Sequence, residues 1–294
     1  MLVLLTIFQY LVQASVDVTD KFLITKRKIE PLNYTFFTVI FGVLLAVIWP
    51  WVYASISFKA ILFDVGAGIW FTVAYYIFYR ALSVGEVSRV VPFVWGLVPV
   101  FDIIFQSVFR LNLLTTQEIA AMFLLVPGAF LITYNKGKFS IHHVANKLLA
   151  AAMLSSYNVF WHFSSASGPF FNNLIWNRVG AAAAVSLLLL FPAARKKIFG
   201  IRKVTQKTNA PALFLVKQVV GGANFIFFSF LISFGQVPVV DALQGFRYIF
   251  LFIGSIVLSK HNKHILDEQT DSHVFHQKLF AIVLICLGTL ILFV

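Results

Sequence analysis

Several ionisable side chains interrupt otherwise apolar stretches of this sequence, and they set the chemistry open to it. Arg247 has Gln244 about one helical turn before it and Tyr248 beside it. A guanidinium so placed either binds an anionic or carbonyl group of a ligand, or pairs with an acid such as Asp241 or Asp102 and fixes its helix. Lys217, Gly221 and Asn224 share one helical face at i, i+4 and i+7. The glycines allow close approach of a neighbouring helix, and the lysine either faces a cavity or snorkels to an interface. Asp17 lies four residues before Lys21, a spacing that suits a neutralising bridge. A carboxyl buried there is also placed to carry a coupling proton.

Around these charges lie stripes of hydrogen-bonding aromatics. Thr72, Tyr75, Tyr76 and Tyr79 share one side of a helix, and Tyr157, Asn158, Trp161 and His162 cluster on another. Ser88, Trp95, Pro99 and Asp102 form a third stripe, where Pro92 and Pro99 free backbone carbonyls that can line a cavity. Interfacial belts and packing account for many such rings. The set expected to line a substrate cavity is Asp17, Tyr75, Trp95, Asn158, Trp161, Lys217, Gln244 and Arg247. Glu86 and Arg89 are spaced for a local ion pair at a helix end. The pairs His261/His264 and His273/His276 have metal-compatible spacing, but no cluster inside a span completes a site. No phosphate-cradling loop and no nucleophile–base set occurs, so neither cofactor nor metal is expected, and no enzyme.

The elements that must position these residues follow from composition. Of 294 residues, 60% are hydrophobic and 12% charged, with 34 Phe and a mean hydropathy of +0.89. Soluble domains carry about twice that share of charge, and one globule cannot hide so much apolar surface from water. A bilayer removes the difficulty. A spanning helix needs about 20 apolar residues, and ten such runs occur: 2–24, 33–53, 61–83, 86–108, 117–135, 146–166, 171–193, 211–234, 237–259 and 276–294. Between them stand helix-ending groups such as Glu30-Pro31, Gly85, Ser167-Gly168-Pro169 and Asn209-Ala210-Pro211. The first run, lacking a basic leader, reads as a retained span. The net charge of +12 lies in short tracts between spans rather than on one face, which excludes nucleic acid as the partner. Loops and flanks after odd-numbered spans hold seventeen Lys and Arg, those after even-numbered spans two. The positive-inside rule then places odd loops in the cytoplasm and both termini outside, with the plasma (inner) membrane as the expected location.

The spans repeat. A shift of 150 aligns Gly85 with Gly235 and Val90 with Val240. A shift of 160 aligns Ala121 with Ala281 and Gly128 with Gly288, and shifts of 138–141 align Gly42 with Gly180 and Asp17 with Asn158. Two five-span halves, 1–140 and 141–294, must insert with opposite orientation because five is odd. The expected fold is thus an all-α polytopic membrane protein, ten transmembrane helices as two inverted five-helix repeats. That architecture places a substrate site near mid-membrane between the halves of a secondary transporter.

The segment Tyr75-Tyr76-Ile77-Phe78-Tyr79-Arg80-Ala81-Leu82-Ser83-Val84-Gly85-Glu86-Val87-Ser88, with the closing helix Ile119–Tyr134 and its Pro127-Gly128, resembles the drug/metabolite transporter superfamily, EamA-type branch. The resemblance implies two EamA-like five-helix repeats. It also implies cytoplasmic termini, opposite to the charge count, and a Gly-Glu-Arg-Leu-like turn that here reads Phe109-Arg110-Leu111-Asn112-Leu113. The resulting expectation is alternating-access transport of a small polar or amphipathic metabolite, anionic groups included, coupled if at all to a proton or an exchanged solute. Membrane lipid is the other partner, and the protein is a monomer or homodimer. The alternative is a membrane-embedded enzyme or a non-transporting lipid-handling scaffold.

Overall fold

The computed structural model describes residues 2–108, 115–134, 141–165, 168–199, 210–234, 243–261 and 271–293, which form helices joined by turns, with no strand among them. The chain opens with α1 (Leu2–Thr25) and turns at Glu30. Pro31, whose missing N–H costs nothing in a first turn, starts α2 (Pro31–Gly42). After Gly42 the backbone tightens into a 3₁₀ segment, Val43–Ile48, before the short α3 (Trp49–Val52). The expected span 33–53 is therefore not one α-helix. Pro50 has no N–H to offer the carbonyl of Ala46, and a 3₁₀ turn accommodates that loss.

Helix α4 (Phe58–Val84) starts where the Ser57 hydroxyl accepts from the Ala60 N–H at 3.2 Å. Helix α5 (Val87–Val108) runs through both Pro92 and Pro99. A reciprocal cap between Thr115 and Glu118 opens α6 (Thr116–Thr133). Then follow α7 (Ile141–Ser165), α8 (Phe170–Leu188) and α9 (Pro192–Phe199), the last bent from α8 by 107°. Helices α10 (Ala210–Phe234), α11 (Gln244–His261) and α12 (Ser272–Phe293) complete the order.

Among the described residues seven runs are long and apolar enough to cross a membrane, or eight if the bent α8–α9 pair is one span. Leu4, Leu44, Val47, Phe123 and Val219 point outward, so the bundle has the lipid-facing apolar coat of an integral membrane helical protein. Helix α7 falls outside those runs because polar residues such as His142, Lys147 and Asn158 interrupt it, and α11 because its apolar stretch, Gln244–Ser259, is shorter than a full span.

Contacts at helix ends fix the directions in which the chain runs. Gln277, at the start of α12, donates to the carbonyls of Leu131 and Tyr134 at the end of α6, so α6 and α12 are antiparallel. Asp20 and Gln13 of α1 meet Lys217 and Asn224 of α10 respectively, an antiparallel register. Helices α1 and α4 finish at the same end, where Lys21 donates to the Leu82 carbonyl at 2.8 Å. Helices α4 and α8 start together at the other end, where Asn172 donates to the Ala54 carbonyl at 2.6 Å. The chain leaves α6 at one end and enters α8 at the other, so α7 must traverse the bundle. The same reasoning makes α11 a traverse between α10 and α12.

Two helix crossings depend on glycine. A Cβ on Gly68 would stand 1.9 Å from the Asn177 carbonyl oxygen, and one on Gly180 would stand 2.1 Å from that of Val65, so α4 and α8 touch backbone to backbone. Between α6 and α12 the contacts are reciprocal. Gly128 faces Leu284 and Ile285, and Gly288 faces Leu125. Each glycine receives a large side chain of its partner, as in self-complementary two-fold packing.

Candidate functional site

The polar centre forms where α1 meets α10 and α11. Arg247 grips Asp17 with two hydrogen bonds, Nε to Oδ2 at 2.8 Å and a terminal nitrogen to Oδ1 at 2.9 Å. Its guanidinium also lies over the Trp95 ring, 4.8 Å from the centroid. A bidentate, charge-assisted pair stacked on an aromatic face holds an arginine in one orientation. One turn further along α1, Asp20 binds Lys217 at 2.7 Å and accepts from the Tyr34 hydroxyl at 2.5 Å. The lysine also sits 5.3 Å from the Tyr34 ring centroid. Gln13 donates to Asp17 at 3.3 Å and accepts from Asn224 at 2.9 Å. Both ion pairs are buried.

This corrects the partners expected from spacing. Lys21 does not bridge back to Asp17: its ammonium reaches across to the end of α4, to the carbonyls of Leu82 and Ser83. Asp102 accepts from Ser155 at 2.6 Å, and Arg247 takes Asp17 instead. Asp241 lies outside the described residues. The local pair Glu86–Arg89 forms at 3.3 Å and is part of a larger clamp. Lys278 of α12 binds the same Glu86 oxygen at 2.5 Å, and Arg89 donates to the carbonyls of Ile132 and Tyr134, tying the ends of α5, α6 and α12.

Of the residues expected to line a cavity, Asp17, Trp95 and Arg247 touch one another, and Lys217 stands beside them through Asp20. The Trp95 Nε1 is buried with no hydrogen-bond partner among the described residues. Tyr75 packs edge or tilted against Phe71, Phe78 and Tyr79, within reach of the charges of both Arg247 and Arg178. Trp161 packs at 6.5 Å on Phe170 at the start of α8, away from the ion pairs. Asn158 and Gln244 are half-buried, and no described contact ties them to the others. The side chain of His162 is outside the described residues. Among the described residues no group of three or more His, Cys, Asp or Glu is placed to hold a metal ion.

Sequence reasoning did not single out Gln13, Tyr34 or Arg178. Arg178 stands near the middle of α8, buried, its guanidinium over Phe71 at 4.3 Å and Phe225 at 5.8 Å. It makes no ion pair among the described residues, and its Nε has no acceptor. A signal was present: this arginine is the only charge in the helix Phe170–Leu188, so no acid within its own turns could neutralise it.

No protein-family model matches this sequence, and no curated protein matches it. A solved structure titled "Crystal structure of protein" is similar over 99% of this chain and 94% of its own, with 15% identity and a TM-score of 0.60. That likeness speaks to the fold of the whole chain.

Proposed function

We propose that the protein is a secondary transporter of ten spans arranged as two inverted five-helix repeats, moving a small polar or amphipathic metabolite by alternating access. The observation that carries this reading is the set of helix directions. Helix α6 closes one half and α12 the other, and they pack antiparallel with Gly128 and Gly288 exchanging the same kind of contact. A pseudo-two-fold axis in the membrane plane has that consequence. Packing elsewhere agrees: α1 lies on α10 and α11, while its counterpart α7 lies on α4 and α5. The traverses of α7 and α11 bring the number of passes to ten, although hydropathy alone scores fewer.

The second support is where the charges meet. Asp17 and Asp20 belong to the first half, Arg247 and Lys217 to the second, and charges this costly to bury mark substrate or ion pathways in membrane bundles. The described helix ends that flank the odd-numbered connections gather at one end, as Glu30 with Lys197 and Glu86 with Lys278 illustrate. By their positive charge that end is the cytoplasmic one, in the plasma (inner) membrane. The test is flux in proteoliposomes screened against metabolite pools, with Asp17→Asn and Lys217→Ala alongside. The reading predicts saturable uptake that both variants reduce. Absence of flux for every pool, from protein that elutes as one folded species, would leave a scaffold instead.

A further inference from the structure

We infer that Arg178 is the anchor of a binding site for the oxyanion, carboxylate or phosphate, of an amphipathic ligand. This deepens the transport reading by naming the charge class of its substrate, and rests on that reading only for what happens after binding. The buried cations of the α1 seam are each neutralised: Arg247 by Asp17, and Lys217 by Asp20. Arg178 is not. It is 8% exposed, faces two aromatic rings, and has no carboxylate within ion-pair distance among the described residues.

Burying a guanidinium without an anion is expensive, and a fold retains such a group where something outside the chain completes it. The surroundings fit that role. Phe71 and Phe225 cover the guanidinium face from α4 and α10, which leaves the planar donor edge as the binding element. That edge matches the two oxygens of a carboxylate or phosphate. Tyr75 and Tyr157 both lie against Phe71, the ring that covers Arg178. They supply an aromatic wall for the apolar body of the ligand. Gly42 makes room for the arginine stem: a Cβ there would stand 3.3 Å from its Cδ. Gly180, two residues on, is pressed against the α4 backbone, so the α8 segment bearing Arg178 is held rigidly. Both halves of the chain contribute.

The test uses the full-length protein in phosphatidylcholine nanodiscs, titrated calorimetrically with benzoate, phenyl phosphate and, as a neutral control, benzyl alcohol. Wild type is expected to bind at least one of the two oxyanions saturably and the alcohol not at all. Loss of one charge-assisted contact predicts a weakening of about tenfold or more in Arg178→Gln. Arg178→Lys keeps the charge but not the fork, and should fall between; it also serves if the glutamine variant does not fold. Discs containing phosphatidylglycerol separate the two sources of an oxyanion. If a lipid headgroup is the natural occupant, the soluble anions no longer bind and phosphatidylglycerol copurifies with wild type but not with Arg178→Gln. If a free solute is the occupant, affinity is unchanged. Equal binding by wild type and both variants, or no binding of either oxyanion or of phosphatidylglycerol, overturns the inference. Flux of the same probes is read separately. Arg178-dependent binding without flux sinks the transport reading alone, and flux indifferent to Arg178 sinks only the anchor.

Discussion

Two of the seams that join the halves of this molecule are held by opposite means. Where α1 meets α10 and α11, charged side chains pair across the gap, Asp17 with Arg247 and Asp20 with Lys217. Where α4 meets α8, the helices touch through Gly68 and Gly180, Asp64 is buried on α4 one turn before Gly68, and Arg178 lies on phenyl rings with no ion pair to an acid among the described residues. The first seam is electrostatically complete and the second is sterically complete but electrostatically open. A buried charge therefore has different meanings in the two places. In the α1 seam it is internal structure that a ligand must compete with; in the α4 seam it is an unfilled valence.

The largest effect that would break this comparison is expected at Asp17. Asp17→Ala leaves Arg247 buried and unpaired, which costs about 3–5 kcal/mol. Heating followed by size-exclusion chromatography should show a much lower midpoint, and Asp17→Leu with Arg247→Met should restore most of it. A midpoint unchanged in the single variant would mean that the pair contributes nothing to the seam. Next in size is Gly180→Ala, where overpacking against the Val65 carbonyl is expected to cost about 1–3 kcal/mol. In contrast with Asp17, no second-site charge change should rescue it. The smallest effect has the opposite sign. Arg178→Met removes an uncompensated charge and should raise the ligand-free midpoint, by about 1 kcal/mol or more in stability. A fall at Arg178 comparable to that at Asp17 would show that the two seams are built alike.

Much of the fold was legible because hydropathy is a one-dimensional property. The apolar runs and the groups ending them, such as Pro31 and Gly85, appear in the chain where helices start and stop. The pair Glu86–Arg89 was legible for the same reason, being one turn apart. Partner choice across the bundle was not. Asp17 has Lys21 one turn away, yet binds Arg247 from the far end of the sequence, because Lys21 faces the carbonyls ending α4. A helical face names which direction a side chain takes, and not which helix waits there. Arg178 is visible in the sequence as a basic residue within a span, but no role could be read for it, because the acids missing around it become apparent only when neighbouring helices are in place. The break of the second span into 3₁₀ geometry after Gly42 was hidden because apolar content is indifferent to whether a backbone closes three- or four-residue turns.

The knob-and-notch arrangement of α6 and α12 restricts how this bundle can change shape. Leu125 fills the notch at Gly288, and Leu284 and Ile285 fill the notch at Gly128. Sliding either helix by one turn, about 5.4 Å, would drive those side chains against backbone that has no notch to receive them. Tilting about the crossing point leaves both seated. This pair therefore behaves as an axle, free to rock and barred from ratcheting, and any rearrangement of the other helices must take place around it.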